Sequence, residues 1–366
     1  MPHEQIDPMK INVLPLSQRR NLLDIREVVC DAGTAPDAGG LAGKIDSLAG
    51  RIVDARRRGA AIVLTHGAHL VKNGGVTLLR SLVEGGFVTH LATHGAGIIH
   101  DWEFAWAGAS SESVRDNAPV GRFGTWDETG RWINLAVIAG AAEGLGFGEA
   151  MGRLVEREGL DLPDADVLAG QIRDNPDAAL TAARADLLAT MRQFKLAGGQ
   201  LDVPHPFKQY SIAACAYRNG VPLTVHPGIG YDIFVNHPMF CGAAVGRAAG
   251  VDARIMARSL MDLTGGVYLS VGSAIMSPQV FEKAFSVANN LRAGRGEPFI
   301  QDHSIAIVDI QAGGDWDWSQ GEPPKDHPAY YLRFCKSFHR MGAAVDYICG
   351  DNCLVLGSLL ARLRRA

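Results

Sequence analysis

The sequence predicts an α/β fold of the doubly wound type: a mostly parallel sheet with helices on both faces, and a helical insertion. Three observations carry that expectation. Short apolar runs that read as buried strands alternate with stretches of helical periodicity, and repeated strand-then-helix units build a parallel sheet covered on both faces. The first two runs end in glycine-rich turns, Thr65-His66-Gly67-Ala68-His69-Leu70-Val71-Lys72-Asn73-Gly74-Gly75 and Thr93-His94-Gly95-Ala96-Gly97-Ile98-Ile99-His100-Asp101. Strand ends of this kind are where α/β enzymes hold cofactors. The chain has 366 residues, 47% of them hydrophobic, which is enough to bury a large core.

The elements follow in order. Residues 1–40 form an irregular N-terminal extension, with an apolar segment at 11–16 and a Gly, Ala, Asp and Pro loop at 31–40; residues 41–366 are expected to form a single α/β catalytic domain. Leu41, Ile45, Leu48 and Ile52 recur at helical spacing over residues 41–58, and a strand at 60–64 follows. Residues 76–84 read as the next helix and 87–92 as the next strand. Residues 107–130 are rich in Gly, Ser, Asp and Glu. They are too long for a plain connection, and loops of such length in compact domains serve as lids or binding loops. From 133 to about 196, Ala, Leu, Arg and Glu dominate, with Pro163 and Pro176 as breaks. Helices are expected there, in an insertion of about 140–200 that covers the site or builds a subunit interface.

The alternation then resumes. A helix at 211–219, a strand at 221–226 and the loop Pro227-Gly228-Ile229-Gly230-Tyr231-Asp232 come first, then a helix at 255–263, a strand at 266–271 and the turn Gly272-Ser273. A helix at 280–290, a strand at 305–310 and a long loop at 311–328 holding Gly313-Gly314-Asp315-Trp316-Asp317-Trp318 follow. The chain closes with a strand at 344–349, the turn Gly350-Asp351-Asn352 and a helix at 353–362.

Charge and composition narrow the partners. The net charge is −4, and the basic clusters are short, Arg56-Arg57-Arg58 and residues 362–365, so no nucleic-acid partner is expected. No apolar run approaches the roughly 20 residues that span a bilayer, and residues 1–25 carry no secretory apolar segment. No membrane partner and a cytoplasmic location are therefore expected. Six cysteines, Cys30, Cys215, Cys241, Cys335, Cys349 and Cys353, are scattered without a CxxC pair, as reduced and mostly buried thiols would be.

In this order the motifs resemble those of the deoxyhypusine synthase superfamily, over most of the chain from about residue 41 onward apart from the insertion. Residues 65–74 are similar to the family's strand-ending segment that grips NAD, and residues 94–101 to its next turn, with Ile99 and His100 here ahead of Asp101 in place of an acidic pair. Asn219-Gly220-Val221-Pro222 through Asp232 resembles its Asn-x-Ile-Pro strand and aspartate-bearing loop. Gly350-Asp351-Asn352-Cys353-Leu354-Val355 resembles a late Asp-Ala turn that also meets the cofactor. The resemblance implies a doubly wound fold and a tightly bound NAD. It also implies a homotetramer or homodimer with sites at the subunit interface. The cofactor residues it implies are Thr65, His66, Gly67, His69, Thr93, His94, Gly95, Ala96, Gly97, Asp351 and Asn352.

Other positions depart from the family pattern. Phe334-Cys335-Lys336 stands where the family has its Trp-Gly-Lys tripeptide, and Gly272-Ser273-Ala274-Ile275-Met276-Ser277-Pro278 replaces a glycine triplet followed by paired histidines. Asp315-Trp316-Asp317-Trp318-Ser319 replaces a Gly-Ser-Asp-Ser-Gly loop. The cofactor positions persist better than the amine-transfer machinery. That contrast points to a paralogous enzyme that keeps NAD and handles another small amine or hydroxylated metabolite by transferase or oxidoreductase chemistry, rather than to true deoxyhypusine synthesis.

Hydride abstraction by NAD needs a donor carbon held against the nicotinamide and a base for the departing proton. Histidine suits the second task because its unperturbed pKa lies near neutrality. His66, His69, His94 and His100 fall in the two turns, while His226 and His237 flank Asp232. His100 and Asp101 are the first candidates for acid/base work, and Asp232 for contact with a cationic or hydroxyl group of the substrate. Lys336 is the candidate for imine formation if amine transfer survives, with a surface lysine late in a helix as its alternative. Trp316 and Trp318 suit either stacking on a ligand or plugging an interface. Two other classes use the same residues. His66, His69, Asp101, His226 and Asp232 have the chemistry of a metal-dependent hydrolase or lyase, and a non-catalytic NAD-binding regulator would keep only the cofactor turns.

Overall fold

The computed structural model describes residues 3–366. The chain divides into two compact units. One, the sheet unit, contains residues 28–97, 215–226 and 252–366; the other, the helical unit, contains residues 3–27, 98–214 and 227–251.

The sheet unit is built on six strands: β1 Ile62–His66, β2 His90–His94, β3 Leu223–His226, β4 Val267–Val271, β5 Ser304–Asp309 and β6 Ala344–Cys349. Their order is β6-β5-β4-β1-β2-β3, and each neighbouring pair is parallel. The chain runs outward from β1 to β3, returns to place β4 on the other edge of β1, and runs outward again to β6. This is the doubly wound order, in which the reversal between the first and fourth strands opens a crevice at their carboxyl ends. All five residues of β1 and all five of β4 are buried, as expected of central parallel strands covered on both faces.

Alternate side chains feed two layers. Val63, Ala92, Tyr268, Ile305, Ile307 and Val345 pack with Met256, Leu260, Phe281, Phe334 and Phe338 in one contiguous core. On the other face, helix Ala42–Arg58 buries Ile45, Leu48, Ala49, Ile52 and Ala55, an apolar stripe at helical spacing. That helix contacts β1, β4 and helix Asn352–Leu363, which also meets helix Val76–Glu84.

In the helical unit, helix Asp127–Ala142 packs against both Phe147–Arg157 and Thr181–Gln193, and the last of these against Ala165–Asp174. Strands Gly159–Leu162 and Gly199–Asp202 form an antiparallel pair beside them. Every residue of helix Asp127–Ala142 from Ile133 onward is buried. The one polar side chain in that stretch, Asn134, donates through Nδ2 to the carbonyls of Gly130 and Phe234, each at 2.8 Å. Among the described residues, no helix is long and apolar enough to cross a membrane.

The fold class matches the sequence expectation, and most elements fall where the periodicity puts them. Several boundaries differ. β1 and β2 extend further than expected, to His66 and His94, because their polar ends remain inside a covered sheet. Within 107–130, expected as a loop, strand Ala109–Ser110 pairs antiparallel with Leu23–Asp24, helix Val114–Asn117 forms, and helix Asp127–Ala142 begins. The helix expected at 255–263 is Gly242–Leu260, its glycine-rich first half hidden by low intrinsic helix propensity.

Candidate functional site

The glycine-rich turns meet at the carboxyl ends of β1, β2 and β4. Gly67 follows β1, and its amide donates to the Val271 carbonyl at 3.0 Å. A Cβ at Gly67 would lie 2.0 Å from the Gly272 carbonyl oxygen, so only glycine lets the two turns pass backbone to backbone. Gly272 has φ +58°, and a Cβ there would lie 2.5 Å from Nδ2 of Asn352, which brings the turn before helix Asn352–Leu363 to the same place. Beside β1, the Thr93 hydroxyl donates to the His66 carbonyl at 3.0 Å. Helix Gly95–Ala107 starts directly after β2, and a Cβ at Gly97 would meet Oγ1 of Thr93 at 2.1 Å.

Two buried polar atoms at this junction have no hydrogen-bond partner among the described residues. His66 is fully buried. Its Nδ1 lies 3.2 Å from the Gly67 carbonyl, which only accepts, so the network assigns the proton to Nδ1 and leaves a lone pair on Nε2. That Nε2 is unpartnered, as is Oδ1 of Asn352. An unmade buried hydrogen bond costs about 1–3 kcal/mol. Both orphans accept, so the junction is complementary to a ligand that brings donors.

Electrostatics keep the junction neutral. Burial pushes His66 down to about 4 and His226 down to about 4. His94, opposite His226 in the β2–β3 register, is lowered by burial and then by His69. Behind them runs a hydrogen-bonded chain. His90 Nδ1 lies 2.8 Å from Ser259 Oγ, its Nε2 lies 3.0 Å from Thr224 Oγ1, and that hydroxyl lies 3.1 Å from His226 Nε2.

The remaining residues expected in the sheet unit have other surroundings. The Thr65 hydroxyl donates to Tyr268 Oη at 2.7 Å, and Tyr268 Oη in turn lies 3.0 Å from Ser277 Oγ, so Thr65 anchors the floor of the sheet. His69 is exposed on the one-turn helix Ala68–Lys72. Asp351 caps helix Asn352–Leu363 by accepting from the Leu354 amide at 2.9 Å. Lys336 Nζ stands 3.5 Å from the ring centroid of Tyr330. Trp318 is buried in the core and Trp316 packs against it; the Trp316 Nε1 donates to the Gly321 carbonyl at 2.9 Å.

His100, Asp101 and Asp232 lie in the helical unit. Asp101 is buried and accepts from the Ser211 hydroxyl at 2.6 Å and the Ile212 amide at 2.7 Å, capping helix Ile212–Arg218. Burial pushes its pKa up to about 6 against the pull of those bonds. His100 Nδ1 lies 2.7 Å from Ser110 Oγ, which donates to Glu103 at 2.5 Å. Glu103 is buried and also takes Arg19 at 2.6 Å and the Thr129 hydroxyl at 2.9 Å. Burial alone would raise its pKa, but Arg19, His100 and Ser110 hold it below the usual range. Asp232 closes its own loop by accepting from the Gly228 amide at 2.7 Å, and His237 Nε2 lies 3.1 Å from Asp127 Oδ1.

The structure therefore gathers His66, Gly67, Thr93, His94, Gly95, Gly97 and Asn352 around adjacent strand ends. Among the described residues, no three or more His, Cys, Asp or Glu side chains are grouped to hold a metal ion, so the five residues of the metal reading do not form a ligand set. Sequence reasoning passed over Glu103 and Arg19, whose pairing spans 84 positions, and over His90, the first residue of β2. A histidine at the start of an otherwise apolar strand was the one available clue.

No protein-family profile and no curated protein matches the sequence. Solved structures that resemble the fold include unliganded AgrE, at TM-score 0.45 and 13% identity, covering 91% of this chain and 34% of that one. The ternary complex of AgrE with ornithine and NAD+ gives TM-score 0.44 and 14% identity, with 90% and 34% covered. A LOR/SDH protein from Methanococcus maripaludis S2 gives 0.43 and 12%, with 97% and 76% covered. The chain thus spans about a third of the length of AgrE.

Proposed function

We propose that this chain is an NAD-dependent enzyme acting on a small amine or hydroxylated metabolite, with the nucleotide seated at the carboxyl ends of β1, β2 and β4. The observation that carries the reading is the coincidence of the strand-order reversal with Gly67, Gly272 and two orphaned acceptors. The sequence resemblance to deoxyhypusine synthases supports NAD as the nucleotide. When bound, NAD supplies a hydride acceptor.

The chain's own residues hold and orient. The first amides of helix Gly95–Ala107, which have no partner inside the helix, are donors for a pyrophosphate. His66 Nε2 and Asn352 Oδ1 accept from a ribose hydroxyl, a carboxamide or a substrate ammonium. Because burial keeps His66 neutral at pH 7, it serves as a fixed acceptor and not as a proton store. His100 is the proposed proton-transfer residue, held through Ser110 by Glu103. Asp101 positions it from the next residue by fixing a helix start, and Asp232 fixes its loop. Imine formation at Lys336 is tested by borohydride trapping of a substrate adduct. The resemblance further proposes a homotetramer or homodimer, which light scattering reads directly.

The activity is tested by incubating the protein and NAD+ with diamines, basic amino acids and polyols, following absorbance of the reduced nicotinamide and, by mass spectrometry, products of internal transfer. Turnover of one member, reduced in His100→Ala with NAD still bound, is the expected result. Bound NAD with no chemistry on any member would leave the regulator reading in its place.

A further inference from the structure

A cavity of about 790 Å³ lies inside the helical unit, lined by side chains of its four neighbouring helices and the Gly159–Leu162 strand. Its volume falls in the roughly 300–1,000 Å³ range of small-molecule sites. Leu160, Leu168 and Leu187, all buried, give it an apolar wall. Three arginines, Arg153, Arg157 and Arg184, reach it against only two acidic residues, Glu143 and Asp161.

The arginines are not equivalent. Arg153 and Arg157 are four residues apart on one helix and so share a face. Arg153 is committed, in a two-pronged pair with Glu143 at 2.6 and 2.7 Å. Arg184 comes from helix Thr181–Gln193 and is half-buried at the cavity. Its guanidinium has no ion-pair or hydrogen-bond partner among the described residues. A planar guanidinium at a partly desolvated site recognises carboxylate or phosphate through paired donors.

We propose that this cavity binds a small organic anion, a carboxylate or phosphate on an apolar body, with the anionic group held by Arg184 and the body against Leu160, Leu168 and Leu187. The site lies wholly within the helical unit, so it stands whether or not the sheet unit binds NAD.

Phenyl phosphate, phenylacetate and benzyl alcohol carry one ring with a phosphate, a carboxylate and a neutral hydroxyl. Calorimetric titration of the full chain should show saturable binding of at least one anion at millimolar concentration and none of the alcohol. The anion that binds identifies the source. Arg184→Gln should weaken that binding by about tenfold or more. Arg184→Lys, which keeps the charge and loses the fork, should weaken it less, and serves in place of the first variant if that one does not fold. Saturation by neither anion, equal binding of the alcohol, or unchanged affinity in both variants would overturn the proposal.

Discussion

Gly67 has no room for a methyl group, because the Gly272 carbonyl occupies the place a Cβ would take. Gly67→Ala should cost about 1–3 kcal/mol, the scale of overpacking in a filled interior, read as a lower urea midpoint. It should also weaken nucleotide binding, since the two turns must part. The Sγ atoms of Cys30 and Cys353 both reach the Asn73 carbonyl, at 3.3 and 3.4 Å. The hydrogen bond from Cys353 lowers the Cys30 pKa, and nucleophilicity follows the thiolate. Iodoacetamide should therefore modify Cys30 before Cys353, as read by peptide mass mapping, and Cys353→Ser should slow it; faster labelling of Cys353 would contradict the pairing. At this scale the sequence was informative about backbone and less so about side-chain roles. Gly67 and Gly97 were legible because strand-end glycines have a steric reason. The commitment of Thr65 to Tyr268, 203 positions away, was not, because nothing local encodes such a partner.

Among elements, the start of helix Ile212–Arg218 depends on a residue from another helix. Asp101 is its cap, and Asp101→Ala should cost about 1–3 kcal/mol for buried bonds left unmade, visible as a fall in melting temperature. The Ser259–His90–Thr224–His226 chain joins β2 to β3 in the same way. Thr224→Val preserves shape but strips both imidazoles of their shared hydroxyl, with a comparable expected loss; an unchanged midpoint would show that the chain carries no stability. The strands themselves were visible as apolar runs. Their ends were misplaced because Thr and His look like turn residues in a sequence, whereas a sheet covered on both faces buries Thr65, His66 and Thr93 and half-buries His94. Helix Gly242–Leu260 was half missed for the opposite reason: its glycines read as loop, and only packing makes them helical.

At the level of the whole molecule, five histidines, four of them buried and His226 partly so, are held neutral. Burial brings His66, His205, His226 and His303 to about 4, and His90 to about 3. Each folded pKa lies below the unfolded value of about 6.5, so below pH 6.5 the unfolded chain takes up protons that the folded chain refuses. Stability should fall from pH 6.5 towards pH 4, by about 1.4 kcal/mol per pH unit for each such histidine. Asp101 acts in the opposite sense: its pKa is raised to about 6, so protonation between about pH 6 and 4 favours the folded state. One carboxyl offsets about one histidine, and the net loss stays steep. Urea midpoints at pH 7 and pH 5 measure it, and equal midpoints would contradict the burial of these rings. The alternation of strands and helices was legible along the chain, but the order of strands across the sheet was not. Pairing partners are set by how successive units wind, and only the reversal between β1 and β4 turns a series of glycine-rich turns into one site.

The most direct test is a calorimetric titration of the full chain with NAD+, beside Gly67→Ala, His66→Ala and Arg184→Gln. Saturable binding is predicted, weakened by about tenfold or more in the first two variants and unchanged in the third. Failure to saturate at millimolar nucleotide, or equal affinity across all four proteins, would contradict the placement of the cofactor at the ends of β1, β2 and β4.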